Sequence, residues 1–591
     1  MNLQDFYNGT CFRVYDYLGA HVTEDGIVFR TYAPHADRVT LSGEFNGWKE
    51  TEMQRVEDGN FFSVVAPAKV GQLYKYRIYH GGNVVEHADP YGYGMELRPK
   101  FASVIRALDY TFSDETWMKN RTDCVNGPLN IYEIHLGSWK KKGDGQTDWF
   151  TYREIAKPLV EYVKKTGYNY IEIMPLAEHA TDESWGYQNT GFFSPTSRYG
   201  TAEDLMYLVD YCHQSGIGVI LDFVPVHFAV DGYALANYDG APLFEPEDRS
   251  IAVSEWGSYN FNHGKGEVRS FLQSAATYWL DKYHFDGLRI DAVSRMLYWM
   301  GDEHRGANKE AIGFISNMNR ELKKMFPSCI LAAEDSSSYD GVTSRAQNGL
   351  WFDYKWDMGW MHDSLKYFQM PPIGRSANSD KISFSMYYFY KDRFLLPLSH
   401  DEVVHGKATI VQKMNGRYED KFPEVKAFYM YMYAHPGKKL NFMGNEIGHF
   451  REWDEKKEQD WFLLKYPVHD EFARFMTGLN RLYLTHPAFW EKDYDYDGFR
   501  WDTINQGGKN VYAFRRFAKD ETILAVFNFC DTPQSVTLNL GNADTLRFLY
   551  GTVCEEKTSA LKDGTIELAL SPYDARFYTV EKKKETEVSE Q

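Results

Sequence analysis

Between residues 130 and 445 the chain alternates short apolar runs with longer stretches of helical hydrophobic spacing, for example at 153–167, 202–216 and 313–326. This alternation is typical of parallel strands joined by crossover helices. It predicts an α/β fold built on a (β/α)₈ TIM barrel, whose active site lies at the carboxyl ends of the strands. The eight candidate strands are 130–136, 168–176, 218–225, 285–291, 329–335, 350–356, 394–400 and 439–445.

Two regions of short, strand-like segments flank the predicted barrel. Turn residues between apolar segments predict an N-terminal β-sandwich from about residue 20 and a C-terminal β-sandwich from about residue 498. A segment of about 228–266 after the third strand has no clear period and is interpreted as a loop insertion near the barrel mouth. We expect domains at 1–118, 119–485 and 486–582, followed by a disordered tail at 583–591.

Charge and cysteine content limit the partners of the chain. The formal net charge of -18 disfavours nucleic acid and acidic membranes, whose phosphates require a basic surface. The six cysteines form no CxxC pair, so neither a disulfide framework nor a zinc site is expected. Asp5, Arg13 and Asp16 interrupt the N-terminal segment where a signal peptide needs an apolar run. We therefore expect a cytoplasmic protein that binds a neutral ligand and no membrane.

Three carboxylates stand at the ends of predicted strands. Asp291, Glu334 and Asp401 lie in LRIDAV, ILAAED and LPLSHDE. Taken singly, an acidic residue at a strand end is usually a helix cap or a loop residue. Three carboxylates at one barrel mouth, however, suit acetal cleavage: one attacks, one protonates the departing oxygen, and negative charge stabilises an oxocarbenium-like transition state.

Four segments carry a resemblance to a known family. They are DFVPVHF (222–228), GLRIDAV (287–293), AAEDSSS (332–338) and LPLSHDEVVHGK (396–407). In this order, they resemble the four sequence regions of the α-amylase superfamily of glycoside hydrolases and transglycosylases. Three longer stretches are similar to the 1,4-α-glucan (glycogen) branching enzymes: SHDEVVHGK, SWGYQNTGFFSPTSRYGT and MGNEIGHFREWDEKKEQDW. The N-terminal sandwich resembles a family 48 carbohydrate-binding module.

The resemblance implies catalytic roles. It makes Asp291 the nucleophile, Glu334 the general acid/base and Asp401 the third carboxylate that holds and distorts the sugar. Arg289 and Asp291 point to one face of a strand, so we expect the guanidinium to keep Asp291 ionised with a low pKa. Burial and negative neighbours favour the protonated form of Glu334. The implied mechanism is a retaining double displacement, with the two carboxyl groups roughly 5 to 5.5 Å apart.

The resemblance also implies substrate-binding residues. His227 and His400 match the histidine pair that hydrogen-bonds the sugar at the cleavage subsite, and Asp222 matches its supporting carboxylate. Tyr187 matches the stacking aromatic, and an aromatic ring suits the apolar face of a pyranose. Trp48 and Trp185, which lack such a match, are expected to serve packing rather than sugar stacking.

No metal and no organic cofactor are expected. Asp231, Asn237 and Asp239 in the insertion show no regular ligand spacing, so solvated loop residues are favoured over calcium ligands.

The expected activity is cleavage of an α-1,4-glucan and transfer of the freed segment to a 6-hydroxyl. Glycogen, amylose or amylopectin is the expected polymer partner, and a monomer is favoured. Two alternatives stay open: a debranching or trehalose-forming hydrolase of the same superfamily, and a catalytically inactive glucan-binding protein. The N-terminal module either binds glucan or buttresses the barrel.

Overall fold

Eight parallel strands close into a barrel in the computed structural model of this chain, which describes residues 1–553 and 558–582. They are β1 (Asn130–Ile134), β2 (Tyr170–Ile173), β3 (Gly218–Phe223), β4 (Gly287–Ile290), β5 (Ile330–Ala333), β6 (Tyr354–Trp356), β7 (Phe394–Leu398) and β8 (Lys438–Phe442). Each strand pairs with its neighbours in chain order, and β8 closes the ring against β1. All eight predicted strands and the predicted barrel fold are confirmed.

Long helices surround the barrel. They are α1 (Tyr152–Thr166), α2 (Ala202–Gln214), α3 (Gly266–Lys282), α4 (Lys309–Met325), α5 (Met358–Gln369), α6 (Tyr418–Ala434) and α7 (Pro467–Thr485). The sequence determines where α1 begins and ends: Thr151 forms a capping box with Glu154, and Gly167 ends the helix at a φ of 82°. Shorter helices span Leu3–Asn8, Glu115–Asn120, Leu136–Trp139, Arg249–Ala252, Val293–Leu297, Pro372–Arg375, Asp380–Ser383, Ser385–Tyr388 and Ile410–Lys413.

One crossover departs from the predicted strand-helix alternation. Residues 334–353, all of them described, run from β5 to β6 through turns and bends without an α-helix. The segment is rich in Ser, Asp and Gly, which favour turns over helix. A loop rather than a helix therefore borders this side of the barrel.

Alternating side chains divide the barrel interior into layers. Ile131 of β1 and Tyr170 of β2 belong to a buried apolar cluster inside the barrel. Because strand side chains alternate with a period of two, Glu133 and Glu172 point to the same interior one layer nearer the carboxyl ends. The barrel interior thus has an apolar layer toward the amino ends of the strands. A charged layer lies between this apolar layer and the barrel mouth.

Antiparallel sheets flank the barrel on both sides, as predicted. The first N-terminal sheet has the strand order Gly19–Thr23, Gly26–Tyr32, Phe61–Ala66, Gln54–Val56. The second has the order Thr51–Glu52, Arg38–Gly43, Leu73–His80, Asn83–His87. Ser103–Val104 also pairs with Leu73–His80. The larger C-terminal sheet has six strands, in the order Phe499–Thr503, Val511–Phe517, Thr522–Asn528, Ala575–Lys582, Ala543–Gly551, Thr558–Ala560. A second C-terminal sheet pairs Gln534–Asn539 with Thr565–Leu570. The domain limits stay predictions, and the predicted tail at 583–591 lies outside the described residues.

The N-terminal module packs against the barrel. The Ser270 hydroxyl of α3 donates to the Phe6 carbonyl at 2.9 Å. Asp239 of the insertion lies 2.9 Å from the Nδ1 of His35 in the module. Two short antiparallel ribbons lie in the loops that follow the barrel strands. One pairs Ala177–His179 with Asn189–Pro195, and the other pairs His227–Phe228 with Tyr259–Asn260. Among the described helices, none has the length and apolar character that crossing a bilayer requires.

Candidate active site

The carboxyl ends of the barrel strands bring the predicted catalytic side chains to one mouth. Asp291 directly follows β4, Glu334 directly follows β5, and Asp401 lies in the turn after β7. All three border one cavity of about 360 Å³. Seven of the eight predicted site residues line this cavity: Tyr187, His227, Arg289, Asp291, Glu334, His400 and Asp401. Asp222, the eighth, is buried on β3 within contact of Arg289.

Arg289 joins the acidic groups of the site. Its Nη1 donates to both oxygens of Asp222 at 2.7 Å and to Asp291 Oδ1 at 2.9 Å. Its Nη2 donates to Glu334 Oε2 at 2.8 Å. The guanidinium carbon lies 4.6 Å from the centroid of the Trp356 ring, which supports it from the barrel interior. The side chain is 1% exposed, so these contacts are shielded from solvent.

Asp291 and Glu334, the predicted nucleophile and general acid/base, each have one oxygen that protein donors hold and one that they leave open. Glu334 Oε2 also accepts from the Ala292 backbone N–H at 2.9 Å. In the described part of the chain, no protein donor contacts the second oxygen of Asp291 or of Glu334. Since both residues border the cavity, the open oxygens are available to a bound ligand.

Tyr187, Asp222 and His400 form a second chain of contacts. The Tyr187 hydroxyl donates to Asp222 Oδ2 at 2.6 Å and lies 3.3 Å from His400 Nε2. The Tyr187 and His400 rings stack at 5.6 Å between centroids. His227 also lines the cavity, 5.2 Å from the Trp256 ring, and its Nδ1 is buried without a hydrogen-bond partner among the described residues.

The expected low pKa of Asp291 is wrong. Burial raises the pKa of Asp291 well above its ordinary value, Arg289 opposes this, and Glu334, Asp222 and Asp401 add to it. The expectation fails because burial outweighs the guanidinium, which also serves three carboxylates rather than one. Burial and the neighbouring carboxylates therefore favour the protonated form of Asp291 more than an isolated aspartate would allow.

Asp222 and Asp401 differ in the direction of their pKa shifts. Burial raises the pKa of Asp222 to about 6, although Arg289 opposes it. Burial also acts to raise the pKa of Asp401, but His400, Lys407 and Arg289 together lower it below the usual range. Asp401 thus keeps its negative charge at the cavity wall throughout the neutral range.

Glu133 is a site neighbour that the sequence reasoning missed. Its carboxylate contacts His400 twice, at the backbone N (3.0 Å) and at ring Nδ1 (2.5 Å). The available signal was a lone glutamate inside the apolar run NIYEIHL, because a charge buried in a strand requires a partner.

Aromatic side chains form the rim of the cavity. Trp256, which the sequence reasoning did not single out, lies in the insertion and is 45% exposed. Trp185 and His405 also line the cavity, with stacked rings 5.3 Å apart. Trp185 therefore both packs and lines the cavity, whereas the expectation assigned it to packing alone.

The insertion residues considered as calcium ligands have other contacts. Asp239 is fully buried and pairs with His35, while the Asn237 backbone N–H donates to Glu245 at 2.7 Å. Among residues 1–553 and 558–582, no group of three or more His, Cys, Asp or Glu side chains has an arrangement that could hold a metal ion.

Family models match three parts of the chain. The model described as "Carbohydrate-binding module 48 (Isoamylase N-terminal domain)" matches residues 17–92. "Alpha amylase, catalytic domain" matches 149–238, and "Maltogenic Amylase, C-terminal domain" matches 502–577. Together with the closed barrel and the carboxylates at its mouth, these matches define an enzyme of the α-amylase class.

Curated relatives narrow the class. The chain is 44% identical to 1,4-alpha-glucan branching enzyme GlgB of Halothermothrix orenii, over 90% of this chain and 87% of that protein. It is also 44% identical to the enzymes of the same name from Aquifex aeolicus (90% and 88% covered) and Fusobacterium nucleatum (89% and 86%). The chain belongs to the family of 1,4-alpha-glucan branching enzymes.

Solved structures share the fold at lower identity. The pullulanase type I from Bacillus subtilis complexed with maltose superposes with a TM-score of 0.76 at 19% identity, covering 97% of this chain and 88% of that one. A putative alpha amylase from Salmonella typhimurium gives a TM-score of 0.74 at 19% identity, covering 96% and 100%. At this identity the likeness concerns the fold alone.

Proposed function

We propose that this chain cleaves an α-1,4 bond of a glucan polymer and transfers the freed segment to a sugar 6-hydroxyl, which creates an α-1,6 branch. The observation that carries the proposal is the convergence of Asp291 and Glu334 on one guanidinium at the wall of a sugar-sized cavity. The family of the chain supports transfer over the alternative hydrolytic reactions. We also propose a cytoplasmic location, because the five described cysteines are unpaired, as a reducing compartment favours.

In the first proposed step, the open oxygen of Asp291 attacks the anomeric carbon of the donor sugar. Glu334 gives its proton to the departing 4-oxygen, so the reducing-end portion of the chain leaves as an alcohol. Arg289 holds both carboxylates in place, and the ionised Asp401 stabilises positive charge that develops on the sugar. The product is a glucan bound covalently to Asp291.

In the second step, the 6-hydroxyl of an acceptor chain attacks the same carbon. Glu334, now a carboxylate, takes the hydroxyl proton, and the bond to Asp291 breaks. Two inversions give net retention, so the new bond is α. The cycle starts with Glu334 protonated and Asp291 ionised, and the contact of Arg289 with Asp291 favours that ionised form.

Substrate-binding roles follow from the walls of the cavity. Tyr187 offers a ring face to the sugar at the cleavage point, while His227 and His400 offer ring nitrogens to its hydroxyls. Asp222 acts indirectly, since it accepts from Tyr187 and Arg289.

Incubation with amylose tests the proposal. Proton NMR of the product should show new α-1,6 anomeric signals, and a reducing-end assay should show no matching increase in free ends. Free oligosaccharides in proportion to cleavage would indicate a hydrolase instead. Unchanged amylose would favour an inactive glucan-binding protein.

A further inference from the structure

Glu133 is a buried carboxylate that the proposed chemical steps do not use. It lies on β1 and is 1% exposed. Its Oε2 accepts from the His400 backbone N–H at 3.0 Å, and its Oε1 lies 2.5 Å from Nδ1 of the His400 ring. One carboxylate thus fixes both the main chain and the ring of His400, which follows β7.

The other ring nitrogen of His400 faces the cavity. Nε2 lies 3.3 Å from the Tyr187 hydroxyl and 3.7 Å from Asp401 Oδ1. Since the Tyr187 hydroxyl gives its own proton to Asp222, its oxygen has a lone pair left to accept one. A proton on Nε2 would therefore point to Tyr187, to Asp401 or to a hydroxyl of a bound sugar.

We propose that Glu133 is a positioning residue, whose carboxylate holds His400 as an imidazolium with its Nε2–H directed into the sugar subsite. A carboxylate on one ring nitrogen of a histidine fixes a proton there, orients the ring and stabilises its charged form. The inference rests on the proposed function, because the hydrogen bond from Nε2 serves a bound glucan.

Charged and titratable groups surround the His400 ring. The acidic groups are Glu133, Glu172, Asp222 and Asp401, and Arg289 and His135 are the basic ones. Aromatic contacts come from Trp185, Tyr187, Phe442 and Trp453. Burial acts to lower the pKa of His400, but Glu133 and Asp401 raise it to about 9. The ring therefore carries a charge at neutral pH.

Glu172 supplies a matched control. It lies directly opposite Glu133 on the neighbouring strand β2 and is also 1% exposed. Neither of its carboxyl oxygens has a hydrogen-bond partner, and burial raises its pKa well above the usual range. Burial thus favours the neutral form of Glu172, and Glu172→Gln supplies an uncharged group of the same shape.

The pH dependence of kcat/KM on amylose tests the proposal in the full-length protein. Wild type and Glu172→Gln should lose activity as the pH rises through about 9, when His400 deprotonates. In Glu133→Gln this alkaline limb should move at least one pH unit lower, and Glu133→Asp, which keeps the charge, should restore it. Activity that falls equally at every pH, with the limb unmoved, would reduce Glu133 to a structural role and overturn the proposal.

A second measurement covers the case in which Glu133→Gln does not fold. Histidine ¹⁵N chemical shifts of the wild-type protein, assigned by comparison with His400→Gln, report the charge of the ring directly. A charged ring from pH 6 to pH 8 supports the proposal, whereas a neutral ring overturns it. This readout needs no catalysis, so it remains valid even if the wild-type protein forms no α-1,6 linkages, which would refute the proposed function instead.

Discussion

Arg289 places one nitrogen on each of the two carboxylates assigned to the chemistry: Nη1 lies 2.9 Å from Asp291 Oδ1, and Nη2 lies 2.8 Å from Glu334 Oε2. A planar guanidinium can hold two acids at a fixed separation, whereas an ammonium cannot. The relative position of attacking group and proton donor therefore depends on this one side chain.

Replacing Arg289 by lysine should lower kcat/KM on amylose by about 100-fold or more, because small errors in the position of reacting groups cost that much. Loss of iodine-staining amylose measures the rate. Arg345→Lys is the control, since Arg345 pairs with Asp353 just before β6 and does not line the cavity. Near-normal activity of the Arg289 variant would show that the shared guanidinium does not hold the acids in place.

Replacing Trp256 by alanine should weaken substrate binding more than catalysis. The ring borders the cavity beside His227 and takes part in neither proposed chemical step, and an aromatic contact contributes about 0.5–1.5 kcal/mol. We expect KM for amylose to rise roughly 2- to 10-fold with little change in kcat. Tyr387→Ala, at a residue that is 83% exposed and outside the cavity lining, should leave both constants unchanged. An equal KM in wild type and the Trp256 variant would contradict sugar contact at this rim.

A buried histidine away from the active site predicts a loss of stability in alkali. His213 lies 2.8 Å from Asp114 and 2.9 Å from Asp286. Burial acts to lower the pKa of His213, but the two carboxylates raise it from 6.5 to about 9. The folded state therefore binds the proton more tightly than the unfolded state does. The resulting stabilisation is complete below pH 6.5 and is lost as the pH rises through 9.

The apparent thermal midpoint should accordingly fall between pH 6.5 and pH 9, and His213→Gln should reduce that fall. The lost stabilisation is on the order of 3 kcal/mol. His362→Gln, at an exposed residue, should keep the wild-type pH dependence. Parallel curves for wild type and the His213 variant would exclude this linkage.

The contact between the N-terminal helix and α3 should not tolerate a side chain at Gly266. A Cβ atom there would lie 1.7 Å from the Tyr7 carbonyl oxygen, so the helix Leu3–Asn8 would have to move. Gly266→Ala should cost about 1–3 kcal/mol and expose the N-terminal segment to limited proteolysis. Gly313→Ala is the control, because a Cβ at that helical position meets open space. Unchanged proteolysis of the Gly266 variant would show that this packing does not anchor the module.

The barrel was predictable because each of its strands is a recognisable apolar segment of the sequence. Each runs as a short apolar segment such as GVILDFVP, and turn residues separate it from the next helix. The missing helix at 334–353 was harder to anticipate. Its polar, serine-rich composition favours turns, whereas the regular strand-helix repeat predicts a helix at this position.

The site was predictable where a residue ends a strand and unpredictable where its effect depends on neighbours. Asp291, Glu334 and Asp401 stand at strand ends, and the topology alone brings them to one mouth. The raised pKa of Asp291 depends first on burial and then on Glu334 and Asp222, which share Arg289 from other strands. Contacts between distant strands, such as that of Glu133 with His400, leave no spacing signal along the chain.

Covalent trapping tests the central claim most directly. Glu334→Gln should react with α-maltosyl fluoride, because fluoride leaves without a protonated acid, and should then release the sugar slowly for want of a base. Mass spectrometry of the digested protein should find one maltosyl group on the peptide that contains Asp291, and none in the Asp291→Ala, Glu334→Gln double variant. A maltosyl group on another residue, or an equal amount in the double variant, would contradict the account.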